Sequence, residues 1–306
     1  MGGTWVFDYN NSGRKIYVPA SYGYYDVYAY KSAKGWSEYK SAIVGYDFNN
    51  GEIVEAQSNN EIWYYSNYGE VVTPYNTNAF GVNIISNTYE NGKGVITFNG
   101  DVTKIGNTAF KNCDSLGTLY IPDSVTEIGE SAFYNCASLH SVYIPDGVTK
   151  IGYWAFYGCD FTSVTIPDSV TTIGDYAYRN CTSLRSVTIG DSVKWIGGAA
   201  FWDCTSLTSV TIPDGVMTIE GCAFYNCTSL RSVTIPSSVT EIGESAFENC
   251  SSLTSVYCKS TTPPTLRGYA FDGNGSGRKI YVPTGSVDKY KIFWDDYASA
   301  IVSYNF

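Results

Sequence analysis

The sequence has few of the side chains on which catalytic and metal sites usually depend. Its 306 residues include 1 His and 2 Met, and none of the 9 Cys belongs to a Cys-x-x-Cys pair. Zinc sites and Cys–His catalytic pairs therefore lack their usual residues. His140 and Ser141 are adjacent, but neighbouring residues of a strand point to opposite faces and could not form a nucleophile pair. We find no glycine-rich phosphate loop and no carboxylate pair at a defined spacing, so we expect no enzyme, no cofactor and no metal.

Basic residues and long apolar runs are scarce as well. The 19 Lys and Arg are outnumbered by 29 Asp and Glu, and the net charge of −10 opposes binding to a phosphate backbone. No apolar run reaches the length of about 18 residues that a membrane-spanning helix needs. The first 20 residues lack the basic start and apolar segment of an export leader. We therefore expect neither nucleic-acid binding nor a membrane span, and either the protein is not exported or its leader is absent from this sequence.

Tyrosine, glycine and a regular repeat are what the chain has in abundance. The 28 Tyr suit strands and half-buried surfaces, and the 30 Gly and 10 Pro indicate many turns. Seven cysteines recur at intervals of 23, 23, 22, 23, 23 and 23 residues, at Cys113, Cys136, Cys159, Cys181, Cys204, Cys227 and Cys250. An aromatic ring precedes each by three residues, at Phe110, Phe133, Phe156, Tyr178, Phe201, Phe224 and Phe247. A fixed period of this length predicts a solenoid of stacked repeats.

Each repeat contains two short extended segments and one tight turn. In "SVYIP", Val142 and Ile144 alternate with Ser141 and Tyr143, which is the period of a strand, and Pro145 ends it. "VTKIG" is a second short extended piece, and "YWAFYGC" is too short for more than a helical turn. Repeats stacked about 4.8 Å apart would join their apolar side chains into continuous columns. Repetition therefore provides the core.

The repeat resembles the leucine-rich repeats of the BspA-like, or Treponema pallidum, type. "SVTIPDSVTTIGDYAYRNCTSL" and its six companions cover approximately Val95 to Leu266, and Cys follows the "AF" turn as it does in that family. The resemblance implies a leucine-rich repeat solenoid, a curved stack of about seven 23-residue turns with short parallel strands. It also implies a secreted or cell-surface protein of a host-associated anaerobic bacterium, acting in adhesion or protein binding.

The array, residues 95–266, needs a cap at each end because its terminal turns would otherwise expose open edges. We predict that residues 49–94 form a β-hairpin N-terminal cap, with "NEIWYYSNYGEVVTPY" as one hairpin and "NIISNTYENGKGVITF" as the next. The last strand of the second hairpin, Val95–Phe98, is expected in register with the repeat strands. Residues 267–306 form a mixed α/β C-terminal cap in which "VDKYKIFWDDYASAI" is an amphipathic helical lid.

Residues 1–48 duplicate that C-terminal cap. "SGRKIYVP" occurs at Ser12–Pro19 and again at Ser276–Pro283, and "SAIV" occurs at Ser41–Val44 and at Ser299–Val302. Two interpretations are open. The segment closes an array whose earlier turns are missing from this sequence, or it is a solitary cap that forms a small domain.

Three residue columns have alternative interpretations. The periodic cysteines are predicted to be buried free thiols, since their side chains point the same way and one would always lack a disulfide partner. Each Asp of the turn column is predicted to bind its own turn, because one column supplies too few oxygens for calcium. The strand-face column is either a β-propensity surface or a ligand face, and consists of Tyr120, Tyr143, Thr165, Thr188, Thr211, Thr234 and Tyr257.

One aromatic cluster is the candidate ligand site. Trp154 and Tyr176 precede the "AF" or "AY" pair of two central repeats, and Tyr157, Arg179 and Trp202 follow the column ring on successive turns. Residues three apart in a helical turn share a side, which pairs Trp154 with Tyr157 and Tyr176 with Arg179. Arg179 would lie between Tyr157 and Trp202, within cation–π range. We predict that these five residues bind a ligand; the alternative is that the rings only cover neighbouring turns.

These observations favour a non-catalytic, monomeric protein of the cell surface or the secreted fraction. The predicted partner is a host or bacterial surface protein bound in adhesion. A glycan-binding module and a passive surface spacer are the alternatives.

Overall fold

The computed structural model describes residues 57–306 throughout and, before them, three strands: β1 (Ile16–Pro19), β2 (Ile43–Asp47) and β3 (Glu52–Val54). The chain divides into two compact units, Met1–Ser58 and Asn59–Phe306. In the first unit β1 pairs with β2 in parallel and β2 pairs with β3 antiparallel. The remaining predictions for residues 1–48 lie outside the described residues.

The second unit begins with a five-stranded sheet. Its strands are β4 (Glu61–Ser66), β5 (Ile84–Glu90), β6 (Lys93–Phe98), β8 (Leu116–Tyr120) and β10 (Ser141–Tyr143), in the order β10-β8-β4-β6-β5. The predicted hairpin around "ENGKG" is confirmed, because β5 pairs antiparallel with β6. Its turn residues Asn91 and Gly92 both have positive φ, 51° and 82°, the backbone that a two-residue hairpin turn requires.

The other expectations for this sheet are wrong. "NEIWYYSNYGEVVTPY" is not a hairpin, because β4 takes both of its partners, β6 and β8, from later in the chain. Val95–Phe98 therefore does not adjoin the repeat strands, since β4 lies between β6 and β8. Because β4 is antiparallel to both β6 and β8, β6 runs in the same direction as the repeat strands, but it does not pair with any of them.

Two parallel sheets build the array, one from each extended segment of the repeat. The first segment supplies β12 (Ser163–Ile166), β14 (Ser186–Ile189), β16 (Ser209–Thr211), β18 (Ser232–Ile235) and β20 (Ser255–Cys258). The second supplies β7 (Lys104–Ile105), β9 (Glu127–Ile128), β11 (Lys150–Ile151), β13 (Thr172–Ile173), β15 (Trp195–Ile196), β17 (Thr218–Ile219), β19 (Glu241–Ile242) and β21 (Thr265–Leu266). Each residue pairs with its equivalent in the next repeat, as Val164 does with Val187. The fixed period thus sets the register.

Buried columns run through these turns as the repeat predicts, but the stack is longer than seven turns. The seven predicted rings stack with centroids 5.1 to 5.4 Å apart. Within the described residues Phe80 extends this ring column at one end and Phe271 at the other, at 5.6 and 5.5 Å. The array therefore has about nine turns. The terminal turns lack the periodic Cys, which is why the repeat count missed them.

All nine cysteines lie in the fully described part of the chain, and all are free. Six thiols of the periodic column donate hydrogen bonds to the carbonyl of the ring residue one turn earlier, as Cys159 does to Phe133 at 3.2 Å. Eight thiols are buried, as expected, but Cys222 is half-exposed. Burial raises the pKa of Cys113 to about 11 and that of Cys181 to about 12. The periodic cysteines therefore act as small core residues that also satisfy a backbone carbonyl.

The C-terminal cap combines two strands with a short helix. β22 (Lys279–Pro283) pairs in parallel with β20 and with β23 (Ile301–Tyr304). Between them lie a 3-10 turn (Thr284–Ser286), α1 (Val287–Phe293) and a second 3-10 segment (Asp295–Ala300). Trp294 and Tyr297 cover the end of the ring column, with ring centroids 5.8 and 5.7 Å from Phe271. Tyr290 of α1 is buried, as an amphipathic lid requires, whereas Phe293 is exposed.

The two copies of the cap sequence pair in the same register. Ile16 of β1 faces Ile43 of β2, and Ile280 of β22 faces Ile301 of β23, which are equivalent positions of the duplicated segments. The duplication in the sequence therefore extends to the pairing of the backbone.

Candidate functional site: an aromatic patch on the turns

The five predicted residues lie on the tight turns that connect the second extended segment to the Cys column. Trp154 and Tyr176 have left-handed backbone, with φ of 51° and 59°. The same position is left-handed in the other repeats, at Thr108, Ser131, Ala199, Cys222, Ser245 and Tyr269. The turn is thus not a helical turn, although the Tyr157 N–H does donate to the Trp154 carbonyl at 3.2 Å. Left-handed backbone is uncommon for residues other than glycine, so the repeat imposes it on whatever side chain is present.

Stacking between neighbouring turns orients the rings. Trp154 stacks on Tyr176 with centroids 5.4 Å apart, and Tyr157 stacks on Tyr134 at 4.7 Å. Each ring of one turn is therefore held by the equivalent ring of the next turn, rather than by its neighbour three residues away. Trp154 is 37% exposed, so this stacking leaves part of its ring open to solvent.

Arg179 joins the two halves of the patch. Its guanidinium lies 4.3 Å from the centroid of the Trp202 ring and 5.6 Å from that of Tyr176. The predicted contact with Trp202 is present, and the second ring is Tyr176 rather than Tyr157. Trp202 in turn packs against Tyr225, with centroids 4.6 Å apart. Within residues 57–306 the buried Nε of Arg179 has no hydrogen-bond partner.

A cavity of about 510 Å³ opens beside this cluster. Of the predicted residues, Trp154, Tyr157 and Arg179 line it directly. Tyr176 supports the Trp154 ring and Trp202 supports the Arg179 guanidinium from behind. The five residues are thus brought together as one patch with a pocket at one side.

Sequence reasoning missed four residues that line the pocket: Lys111, Glu130, Ser131 and Tyr134. Lys111 and Tyr134 directly follow Phe110 and Phe133, the position that Tyr157, Arg179 and Trp202 occupy in later repeats. We call this set the ridge column: Lys111, Tyr134, Tyr157, Arg179, Trp202 and Tyr225. Following it to the first repeats would have found both residues. Glu130 precedes the left-handed Ser131 and has no such signal.

The other candidate residues have structural partners. The His140 ring nitrogens lie 3.3 Å from the Thr118 hydroxyl and 3.2 Å from the Ser138 carbonyl oxygen. The turn column consists of Asp123, Asp146, Asp168, Asp191 and Asp214. Asp168 accepts a hydrogen bond from the Asp191 N–H at 3.0 Å, so its partner lies in the next turn and not in its own turn as predicted. Thr188 and Thr211 of the strand face are exposed, whereas Tyr120 at one end of that column is buried.

Residues 57–306 hold neither a cluster of metal ligands nor a membrane-spanning helix. No group of three or more His, Cys, Asp or Glu side chains within them is placed to hold a metal ion. Among the same residues, no helix has both the length and the apolar character needed to span a membrane.

The sequence matches one protein-family model and several solved structures. The model, described as "BspA type Leucine rich repeat region", matches residues 56–185 and 149–277 in six copies, which is more than half of the chain. A leucine-rich repeat protein of T. pallidum is 32% identical over 51% of this chain and 73% of its own, with a TM-score of 0.47. A leucine-rich repeat protein from Bacteroides ovatus is 29% identical over 72% of this chain and 67% of its own, with a TM-score of 0.43.

A leucine-rich cell surface protein of Faecalibacterium prausnitzii is 24% identical over 72% of this chain and 86% of its own, with a TM-score of 0.29. No curated protein matches the chain. All three TM-scores are below 0.5, so the family assignment depends on the repeat model alone.

Proposed function

The chain belongs to the family of BspA-type leucine-rich repeat proteins, and from this premise we propose that it is a non-catalytic, monomeric binding protein of the cell surface or the secreted fraction. The matched family and the similar structures are repeat proteins rather than enzymes. Its partner is a protein, bound in adhesion through the aromatic patch of Trp154, Tyr157, Tyr176, Arg179 and Trp202.

The single observation that carries this proposal is the composition and rigidity of the patch. Trp, Tyr and Arg are the residues in which binding energy concentrates at protein interfaces. Here their side chains are stacked on neighbouring turns, with centroid distances of 4.3 Å for Arg179 on Trp202 and 5.4 Å for Trp154 on Tyr176. Side chains that are already ordered lose little entropy on binding, which favours affinity.

The rings also exceed what the fold requires. The equivalent positions hold Ser131, Ala199 and Ser245 in other repeats with the same left-handed backbone. If the fold required a large ring at this position, those repeats would need one as well. They have small side chains there instead, so the fold does not require the ring. Contiguous exposed apolar surface is a common mark of an interaction site.

The test compares wild-type protein with the double variant Trp154→Ala, Trp202→Ala on an array of purified extracellular proteins. We expect at least one protein to bind the wild type and to lose at least tenfold in affinity for the variant, as removal of interface hot spots does. Ala199 occupies the Trp154 position in another repeat, so the backbone accepts Ala there.

Trp195→Ala is the matched control, because Trp195 lies on β15 and donates to Glu220 at 2.8 Å, outside the patch. Binding that survives the double variant would move the site to the strand face. No binding to any protein on the array would favour the spacer.

A further inference from the structure

The pocket beside the patch has the size of a small-molecule site. Its volume of about 510 Å³ lies within the range of about 300–1,000 Å³ that is typical of ligand pockets. A single amino-acid side chain would leave most of that volume empty, whereas one or two sugar rings would fill it.

The aromatic side chains at the pocket are held in fixed positions. Tyr157 stacks on Tyr134 with ring planes 8° apart, and Trp154 stacks on Tyr176 with planes 17° apart. Flat, ordered aromatic rings suit the apolar C–H face of a pyranose, while the tyrosine hydroxyls can bond to its hydroxyl groups.

Two cations of the pocket have no acidic partner. Arg179 and Lys111 both line it, and within residues 57–306 neither of them forms an ion pair, although the chain carries a net charge of −10. The Lys111 ammonium lies 5.2 Å from the centroid of the Tyr134 ring. The Arg179 guanidinium is stacked on rings, and its Nε is buried, so its two terminal nitrogens are the donors that can reach a ligand. A planar guanidinium with free donors matches a carboxylate, to which it can donate two parallel hydrogen bonds.

Glu130 restricts what kind of anion the pocket can accept. Glu130 lines the same cavity, and its carboxylate can only accept hydrogen bonds when ionised. An acidic side chain of a peptide would bring a second carboxylate and no donor for Glu130. A sugar acid brings a carboxylate for the cations and hydroxyl donors for Glu130 at the same time.

We therefore propose that this pocket binds a carboxylate-bearing sugar, of the uronic or sialic acid class. Arg179 and Lys111 hold the carboxylate, Glu130 accepts from a hydroxyl, and the Tyr157 and Trp154 rings contact the sugar face. The inference rests on the proposed function in that the sugar belongs to a partner bound at the same patch.

The experiment titrates the 306-residue chain with sialyllactose and with glucuronate, and follows the indole signals of Trp154 and Trp202 by NMR. Lactose and glucose are the matched neutral sugars, and N-acetylglutamate represents an acidic side chain. We expect saturable binding of the two acidic sugars and at least tenfold weaker binding of the neutral ones, because the charged hydrogen bonds are lost.

Arg179→Gln should lower the affinity for the acidic sugars at least tenfold, to a value close to that for the neutral sugars. Glu248 occupies the Arg179 position three repeats later, so Gln fits this turn. Lys111→Gln tests the second cation. Arg185→Gln is the control, since Arg185 is exposed beside the strands and does not line the pocket; this variant should bind like the wild type.

Equal binding of sialyllactose and lactose, or no binding of either acidic sugar, would overturn the inference, as would tighter binding of N-acetylglutamate. A protein partner that is lost in the Trp154→Ala, Trp202→Ala variant but unaffected by Arg179→Gln would leave the proposed function standing and the sugar site refuted. Binding of the acidic sugars without any protein partner would support the sugar site and contradict the proposed protein partner.

Discussion

Replacing Tyr178 by Phe is expected to stabilise the array. Tyr178 takes the place of Phe in the ring column, stacked between Phe156 at 5.2 Å and Phe201 at 5.4 Å. Its side chain is fully buried, and in the described part of the chain its hydroxyl has no hydrogen-bond partner. Burial raises the pKa of the Tyr178 hydroxyl well above its ordinary value, with a further rise from the neighbouring Cys181 and Cys159. The group is therefore a buried polar atom without compensation.

The magnitude follows from removing one oxygen. An unsatisfied buried hydroxyl costs about 1–3 kcal/mol, which Tyr178→Phe recovers. The contacts that the oxygen makes contribute about 0.1–0.2 kcal/mol each, so their loss offsets only part of the gain. We expect the free energy of unfolding to rise by about 1–2 kcal/mol, in contrast to the usual loss on changing a core residue.

Chemical unfolding measures this change. If the dependence of the unfolding free energy on denaturant concentration stays constant, the change appears as a shift in the denaturant concentration at the midpoint. Phe201→Tyr is the matched control, because it adds the same oxygen to the next ring of the column, and we expect it to lower the free energy of unfolding by about 1–3 kcal/mol. A loss of 1 kcal/mol or more in Tyr178→Phe would refute the reasoning, since it would mean that the hydroxyl has a partner inside the core.

Two further predictions concern the thiols and the caps. The half-exposed Cys222 should react with a thiol reagent in the folded protein, and the eight buried thiols only after denaturation; fast labelling of several thiols in the native state would contradict their burial. The difference rests on solvent access, because a reagent reaches Cys222 but not the buried thiols. Burial also raises the pKa of Cys113 to about 11, which leaves almost no reactive thiolate at about pH 8. Deleting residues 267–306 should lower the melting temperature or cause aggregation, because it removes Phe271 from above the Phe247 ring and uncovers the edge of β20. Deleting residues 1–48 should leave the transition of the second unit unchanged. Equal damage from both deletions would show that the array needs both ends.

Much of the array could be predicted because the repeat is local and periodic. A single turn such as "SVTIPDSVTTIGDYAYRNC" contains its strand, its Pro stop and its apolar positions, and stacking identical turns sets the register without further information. Ile166 and Ile189 pair because they are equivalent residues of successive repeats. The same argument located the Cys and ring columns.

Prediction failed where equivalence between turns ends. Phe80 lies 30 residues before Phe110, and the β5–β6 hairpin between them hides its place in the ring column. The sequence predicts that β4 pairs with the segment that directly follows it. In the structure its partners are β6 and β8, which come from later in the sequence. An antiparallel strand has several apolar neighbours available, and only packing selects among them.

By itself the sequence determined the solenoid, its period, its buried columns and the group of aromatic residues on the ridge, since these follow from one repeated unit. Only the tertiary structure decided that the second ring beside Arg179 is Tyr176 rather than Tyr157, and that Lys111 and Glu130 share a pocket with Trp154. The repeat places those side chains on adjacent turns, within reach of several partners. Which partner each takes depends on the left-handed backbone of the turn and on the stacking between turns, and both exist only when the turns are assembled.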